Sequence, residues 1–548
     1  MTSSKINLDY VKSLICKNSK LAISTLVLAV IFFFNGWFLL VRGAAYIDSD
    51  MASNFIAAVY NNADHSIMSR NWYYSTGICL FTDVNIFQIV LLILKDNWLV
   101  ARAVGVLIMQ ILLVLQVVFF SKQINAEWYE AVLFAAFSVA PISYWLLLMI
   151  GFGAYYIPMT AHSMLILAVV LWYAQKNAGK IKEYVCYAVL ALEGTVQGIC
   201  GIKSAIYPYG PLAITAAILL FLFVRNNANK IKKIDCFEWR FAIATGISLI
   251  TYGIGFLLNN IYFVRIFKFE GKDEMVWGEF DINAVLEGVS ECLSLMGYQS
   301  DKHVNFFTSD ETLRSVFSLQ GIANLFGLVL ILGLILSVIR LWQRFNVLSI
   351  VHKTVYVLFL SSMFVGCVVY KLTKGYDTSA VYWVPVYPLM FIIIFIEIKT
   401  EDLRLRYSKN VLYLAITFCV VVTSISTIKL YQESPMHANP QLVNVVKWLQ
   451  DNGYKKGYGS FWQCNSVAFL SNGDIEMWDV YGLDNLELHK WLQPKSHDNP
   501  PEGDRIFSLI GPKSEIDREA FLQYMNTEPG IPEIVYKDNF GYIVVEYK

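Results

Sequence analysis

Charge is scarce in this chain. Asp, Glu, Lys and Arg make up 16% of its 548 residues, against about 25% in ordinary soluble proteins. The charge that is present cancels, with 43 Lys plus Arg facing 43 Asp plus Glu. A neutral chain that is 56% hydrophobic is a poor recipe for a soluble monomer. A disordered hub needs a charge excess and a nucleic-acid binder a basic domain, so both classes are excluded. The nine cysteines include no C-x-x-C pair and no regular spacing, and most fall within apolar runs. That argues against a disulfide framework or a structural zinc site. Repeats and low-complexity segments are also lacking. A polytopic membrane protein is what remains.

A transmembrane helix needs about 20 mostly apolar residues. On that measure the chain holds eleven candidate spans: Leu21–Val41, Leu99–Phe120, Ala131–Ile150, Tyr156–Tyr173, Tyr184–Ile202, Tyr209–Val224, Phe241–Asn259, Gly321–Ile339, Thr354–Tyr370, Ser379–Ile398 and Val411–Ile428. Lys5, Lys12, Lys17 and Lys20 precede the first, and four of the five loops after even-numbered spans are basic, among them Arg225–Arg240 and Lys399–Lys409. The exception holds Lys122, Glu127 and Glu130. The positive-inside rule then places the N-terminus in the cytoplasm of a plasma-membrane protein, and the tail after Ile428 outside. The outer loops include 42–98 and the long 261–320, which has ten acidic and five basic residues.

Ile86–Leu94 is apolar but spans only about 14 Å as a helix, less than half the hydrocarbon thickness. It is expected to lie flat on the outer face, or to extend the next span outward beyond Lys95-Asp96-Asn97. The tail reads as a small mixed α/β domain. Pro440–Asp451 has Leu442, Val445, Val446 and Leu449 at helical spacing. Tyr458–Trp462, Ile475–Val480, Ile506–Ile510, Glu533–Tyr536 and Tyr542–Tyr547 read as short strands between Gly, Pro and Asn. The expected organisation is an all-α membrane domain over 1–428 and an extracytoplasmic domain over 429–548.

The chemistry concentrates in the loop after the first span, Arg42-Gly-Ala-Ala-Tyr-Ile-Asp48-Ser49-Asp50. An Asp-x-Asp pair there can hold a divalent cation such as Mg2+ or Mn2+, or set one carboxylate as a base beside another that orients it. An amphipathic helix follows over Asp50–Tyr60, which Asp50 or Ser49 can cap. Asp48 has no capping duty on this reading and is the preferred base. Trp72, Tyr73 and Tyr74 offer either interfacial anchoring or a stacking wall for a sugar. Arg70, Arg102, Lys203, Lys371 and Lys374 are basic positions on the same face that can hold a phosphate, or simply snorkel at helix ends. Glu193 falls within the fifth span, where an acid is either functional or hydrogen-bonded between helices. Tyr155 and Tyr156 can line a cavity, and His162 reads as an interior histidine. The loop 261–320, with Trp277, Phe280, Leu286, Leu293, Phe306 and Phe307 among its acids, is a lid or a surface helix. Trp448, Trp462, Trp478 and Trp491 in the tail read as core more than as a sugar platform, and the tail as an accessory unit for acceptor binding or packing.

This pattern resembles the GT-C superfamily of integral-membrane glycosyltransferases, in plan the protein O-mannosyltransferases and the lipid A aminoarabinose transferase. Asp48 and Asp50 in the first outer loop, two interfacial helices, Arg102 at the start of the second span, eleven spans and an outer C-terminal domain carry the resemblance. It implies a polyprenyl-phosphate sugar donor, transfer with inversion, and a base at Asp48 or Asp50. The acceptor would be a glycan, lipid or protein of the cell envelope. The sequence departs from relatives with an Asp-Glu pair, and has Ala380–Pro385 where many carry Arg-Tyr. A transporter or flippase of lipid-linked sugars is the alternative, but such proteins usually show internal repeats and interrupted mid-membrane helices. A polymerase of lipid-linked glycans would instead put basic residues in its large outer loops.

Overall fold

The computed structural model describes residues 8–75, 77–78, 80–153, 156–175, 179–226, 236–269, 276–278, 281–298, 304–305, 314–315, 317–374, 380–400, 406–433, 439–482, 486–503, 505–512 and 533–547. The chain opens with α1 (Leu8–Tyr46), α2 (Ser49–Ala63), β1 (Tyr73–Tyr74), α3 (Asp83–Leu91), α4 (Trp98–Gln123), α5 (Trp128–Ser138) and α6 (Tyr144–Leu146), the last continuing as a π-helical turn to Phe152. Next come α7 (Tyr156–Ala174), α8 (Lys180–Cys200), α9 (Gly210–Asn226), α10 (Phe237–Leu258) and α11 (Val264–Ile266). β2 (Lys268–Phe269), β3 (Val276–Trp277), α12 (Ile282–Ser294), β4 (Val304–Asn305) and β5 (Arg314–Ser315) lead to α13 (Leu319–Gln343), α14 (Ile350–Leu372), β6 (Thr373–Lys374), α15 (Tyr387–Thr400) and α16 (Arg406–Glu433). Among the described residues nine helical stretches are long and apolar enough to cross a membrane, as befits a multi-pass membrane protein.

The other two expected spans differ for stated physical reasons. Ala131–Ile150 is not one helix but α5 and α6, broken over Val139–Ser143, where Pro141 denies the ladder its N–H and pushes Ala140 out of the helical region. The fifth is the continuous 21-residue α8, whose hydropathy is lowered by Lys180, Lys182, Glu183 and Glu193. It is held instead by close packing. A Cβ on Gly198 would come within 2.1 Å of the Tyr252 carbonyl, and one on Gly255 of α10 within 2.1 Å of the Thr195 carbonyl. The two backbones meet because neither has a side chain there. The weakly basic loop after the second span carries Glu130, which is 6% exposed. It accepts from the Glu127 N–H at 2.6 Å and the Tyr413 hydroxyl at 3.4 Å, and lies 3.7 Å from the Lys399 ammonium. That acid is matched by a cation from another loop.

The two helices of the first loop are present, with the second shifted. α3 starts at Asp83 rather than Ile86 because Thr82 takes the extended N-cap conformation. The loop 261–320 is tied down at two points: β2 pairs in parallel with β1, and β3 antiparallel with β6. Phe280, Phe306 and Phe307 lie outside the described residues.

The tail is an α/β unit: α17 (Pro440–Asp451), β7 (Lys456–Gly459), α18 (Phe461–Leu470), β8 (Glu476–Asp479), β9 (Ile506–Ile510), β10 (Glu533–Lys537) and β11 (Ile543–Tyr547). Its sheet runs β10-β11-β9-β7-β8, with β8, β7 and β9 parallel and β11 and β10 antiparallel. The expected strand Tyr458–Trp462 is corrected, since Phe461 and Trp462 already belong to α18. α18 packs along α2. Phe469, 1% exposed, meets the Phe55 ring edge-on at 5.1 Å and lies 6.1 Å from that of Trp98. Ser49 Oγ is 3.4 Å from Ser466 Oγ, and the Asn439 N–H donates to the Ala45 carbonyl at 2.5 Å. Phe469→Ala is expected to cost about 3–5 kcal/mol and to free this unit for proteolysis at 439–547 before the membrane helices unfold. Unchanged protease resistance and Tm would show that the seam is not held by this ring.

Candidate functional site

Asp48 and Asp50 stand where α1 ends and α2 begins. The cap is not where the sequence pattern put it. Asp48 is the N-cap of α2, its Oδ1 accepting the Met51 N–H at 2.7 Å. Asp50 lies inside the first turn, mostly buried, with its carboxyl pushed up to about 7 by loss of solvent and the like charge of Asp48, against the opposing pull of the Lys203 ammonium. The fold thus gives Asp48 a backbone duty and makes Asp50 the carboxyl raised toward neutrality.

Lys203 follows the end of α8, and the first loop is drawn against that end. Gly77 comes so close that a Cβ would sit 2.7 Å from the Cys200 carbonyl, and Cys200 Sγ lies 3.3 Å from the Leu80 carbonyl oxygen. Below this contact lies a groove of about 570 Å³ between α3, α4, α7 and α8. Its walls include Ile86, Ile89, Leu112, Ile157, Leu165 and Leu192, with no Lys or Arg among the lining residues. Ile89 and Leu192 are about 60% exposed, so the groove opens sideways from the bundle and suits a hydrocarbon chain but no phosphate. On its wall His162 Nδ1 is 2.8 Å from Glu193 Oε2, and His162 Nε2 is 3.1 Å from the Phe81 carbonyl oxygen. The intramembrane acid is thus hydrogen-bonded between helices, and the two residues read separately in the sequence form one pair.

Structural likeness now decides the fold. The crystal structure of ArnT, a lipid A aminoarabinose transferase, from Cupriavidus metallidurans superposes with a TM-score of 0.58 at 10% identity, over 96% of this chain and 97% of that one. The same protein bound to undecaprenyl phosphate gives 0.56 at 9% identity, over 96% and 98%. The fold is that of the GT-C glycosyltransferases. A weaker likeness, TM-score 0.46 at 12% identity over 90% of this chain and 69% of that one, is to the Archaeoglobus fulgidus oligosaccharyltransferase AglB. No family model and no curated protein matches the sequence.

Within this GT-C frame several expected site residues do other work. Trp72 is 1% exposed, its ring against Tyr60 and its backbone bridged to Pro494. The Tyr73 hydroxyl donates to Asp498 at 2.8 Å, and the buried Tyr74 hydroxyl donates to the Ser69 carbonyl at 2.9 Å. The stacking wall for a sugar is therefore corrected to a seam that fastens the C-terminal unit to the first loop. Arg102, 2% exposed, donates to the Phe152 carbonyl at 2.7 Å and the Gly153 carbonyl at 3.3 Å. That guanidinium caps the end of the broken third span, and the phosphate role is withdrawn from it. Arg70 is exposed on the same seam, where its carbonyl holds the Lys495 ammonium. Tyr156 meets Tyr382 edge-on at 6.4 Å, and Tyr155 lies outside the described residues. Lys371 ends α14 beside β6, where Lys374 pairs with Val276.

Sequence reasoning missed Asp83. It is 4% exposed in the first turn of α3, accepts from Asn54 of α2 at 2.7 Å, and is pushed up by burial. The signal was available in Thr82-Asp83, a plausible helix start. The Asp48–Asp50 pair fits a divalent cation poorly: one Asp48 oxygen already holds a backbone N–H, and the cation beside Asp50 is a lysine. Among the described residues no group of three or more His, Cys, Asp or Glu is placed to hold a metal.

Asp50 carries a stability consequence. Its folded pKa of about 7 exceeds the ordinary 3.8, so its contribution is favourable below about 3.8 and is lost as pH rises through about 7. The penalty above that pH is on the order of 4 kcal/mol. Asp50→Asn should raise Tm more at pH 8 than at pH 5. An equal change at both would show that Asp50 titrates normally.

Proposed function

We propose that the protein is a membrane glycosyltransferase that moves a sugar from a polyprenyl-phosphate donor to an acceptor hydroxyl at the outer face of the plasma membrane. The observation that carries this reading is Asp50, a half-buried carboxyl at the α1–α2 junction, pushed up to about 7 and facing the opposing charge of Lys203, in a chain with the GT-C fold. The undecaprenyl phosphate bound by the similar ArnT supports the donor class. The basic loops facing Asp48 and Asp50 across the bilayer support the outer placement.

The groove takes the isoprenoid tail, and α8 runs from its wall at Val196 toward Lys203, about 6 Å along the helix to Cys200. Lys203 holds the phosphate there. Asp50 takes the proton of the acceptor hydroxyl as that oxygen bonds to the anomeric carbon. The bond from that carbon to phosphate oxygen breaks, and its electron pair leaves with the phosphate, whose charge Lys203 stabilises. One displacement inverts the anomeric centre. Asp48 tunes the base through its like charge and holds the start of α2.

Proteoliposomes given a radiolabelled polyprenyl-phosphate sugar test this. Asp50→Asn should lower transfer about 10²–10⁴-fold in a protein that still folds. Asp48→Asn keeps a good cap, so it should retain activity while the acid limb of the pH–rate profile moves below about 7. Lys203→Met should slow transfer and move that limb upward. Full activity in Asp50→Asn with loss in Asp48→Asn would return the base to Asp48. EDTA should leave turnover unchanged; a loss restored by Mg2+ or Mn2+ would make the pair a metal site.

A further inference from the structure

The aromatic residues of the C-terminal unit divide into two sets. Trp448 packs against Tyr454 and Tyr536, and Trp478 is 4% exposed and stacked on His497 at 4.2 Å. These are core. The other set gathers around His489. Its ring lies 4.4 Å from Tyr481, 6.4 Å from Phe461 and 6.1 Å from Trp491, nearly parallel to the last, and Phe461 meets Trp462 edge-on at 5.4 Å. Tyr481 is 62% exposed and Trp462 41%, so the cluster presents ring surface to solvent.

Three further observations identify the ligand's chemistry. The cluster stands just past the carboxyl ends of the parallel strands β7 and β8, the edge of open α/β sheets where ligands bind. His489 Nδ1 is 2.9 Å from Oδ2 of Asp479, which is 1% exposed. This bond fixes the orientation of the imidazole, which then offers its second ring nitrogen as a hydrogen-bonding group beside the aromatic rings. Flat rings interleaved with fixed polar groups match a saccharide, whose C–H faces stack and whose hydroxyls bond at the edge. A lipid surface would have no use for the Asp479–His489 pair.

The position is equally specific. Trp462 lies one helical turn, about 6 Å, before Ser466, and Ser466 touches Ser49 between Asp48 and Asp50. We propose that Phe461, Trp462, Tyr481, His489 and Trp491 form a saccharide-binding platform that holds the acceptor glycan beside Asp50. Only the acceptor role rests on the transferase reading; the binding itself does not. The acceptor is thereby a sugar chain rather than a bare lipid or peptide.

Full-length protein in lipid nanodiscs is titrated with maltotetraose, cellotetraose, mannotetraose and chitotetraose, with binding read by saturation-transfer NMR. At least one should bind, and Trp462→Ala combined with Tyr481→Ala should weaken it about tenfold or more, through the loss of two stacking contacts. Trp462→Phe should retain binding. So should Phe540→Ala, which removes an exposed ring beyond β10 at the opposite sheet edge; thermal unfolding confirms that each variant folds. No binding of any tetrasaccharide, or undiminished binding by the double variant, overturns the platform. Platform binding without any sugar transfer would instead overturn the transferase reading and leave the platform standing.

Discussion

The architecture depends on the contact between α2 and α18. Phe55 and Phe469, both essentially buried, close a ring stack with Trp98 that joins the first loop, the second span and the C-terminal unit. The three elements are far apart in sequence, so this one contact fixes how they sit against one another. Burial of three aromatic side chains at one point outweighs any single surface hydrogen bond nearby. The polar seam at residues 70–73 and 493–498 then fixes orientation rather than supplying the main stabilisation.

That contact also bears on the electrostatics of Asp50. The C-terminal unit touches the α1–α2 junction at Ala45 and Ser49, next to the carboxyl whose acidity burial weakens. Asp48 and Lys203 act on Asp50 with opposite signs, so the value near 7 is a balance that one substitution on either side displaces. Two aspartates of identical chemistry, two positions apart, have diverged in role because the helix begins between them.

Much of this was legible in the sequence, for reasons of length scale. Membrane spans and the helix at Pro440–Asp451 are local patterns, and nearly all appear where the apolar periodicity places them. The break at Pro141 was written in one residue but hidden by the apolar run around it. The cap was misassigned because Asp-Ser-Asp offers three candidates and a helix start cannot be fixed to one residue from pattern alone. The partners of Trp72, Tyr73 and Arg102, namely Pro494, Asp498 and the Phe152 carbonyl, were hidden because they are remote in sequence. Among the described residues, the pairing of His162 with Glu193 was hidden for the same reason: neither residue names its partner.

The groove between α3, α4, α7 and α8 opens sideways between apolar walls, and on the proposed reading its mouth meets the hydrocarbon of the bilayer. A ligand that enters there arrives by diffusion in two dimensions. Occupancy then follows the mole fraction of that lipid in the bilayer, and the volume of the surrounding buffer is irrelevant to it. Detergent molecules, which carry hydrocarbon chains of their own, become competitors for the same space.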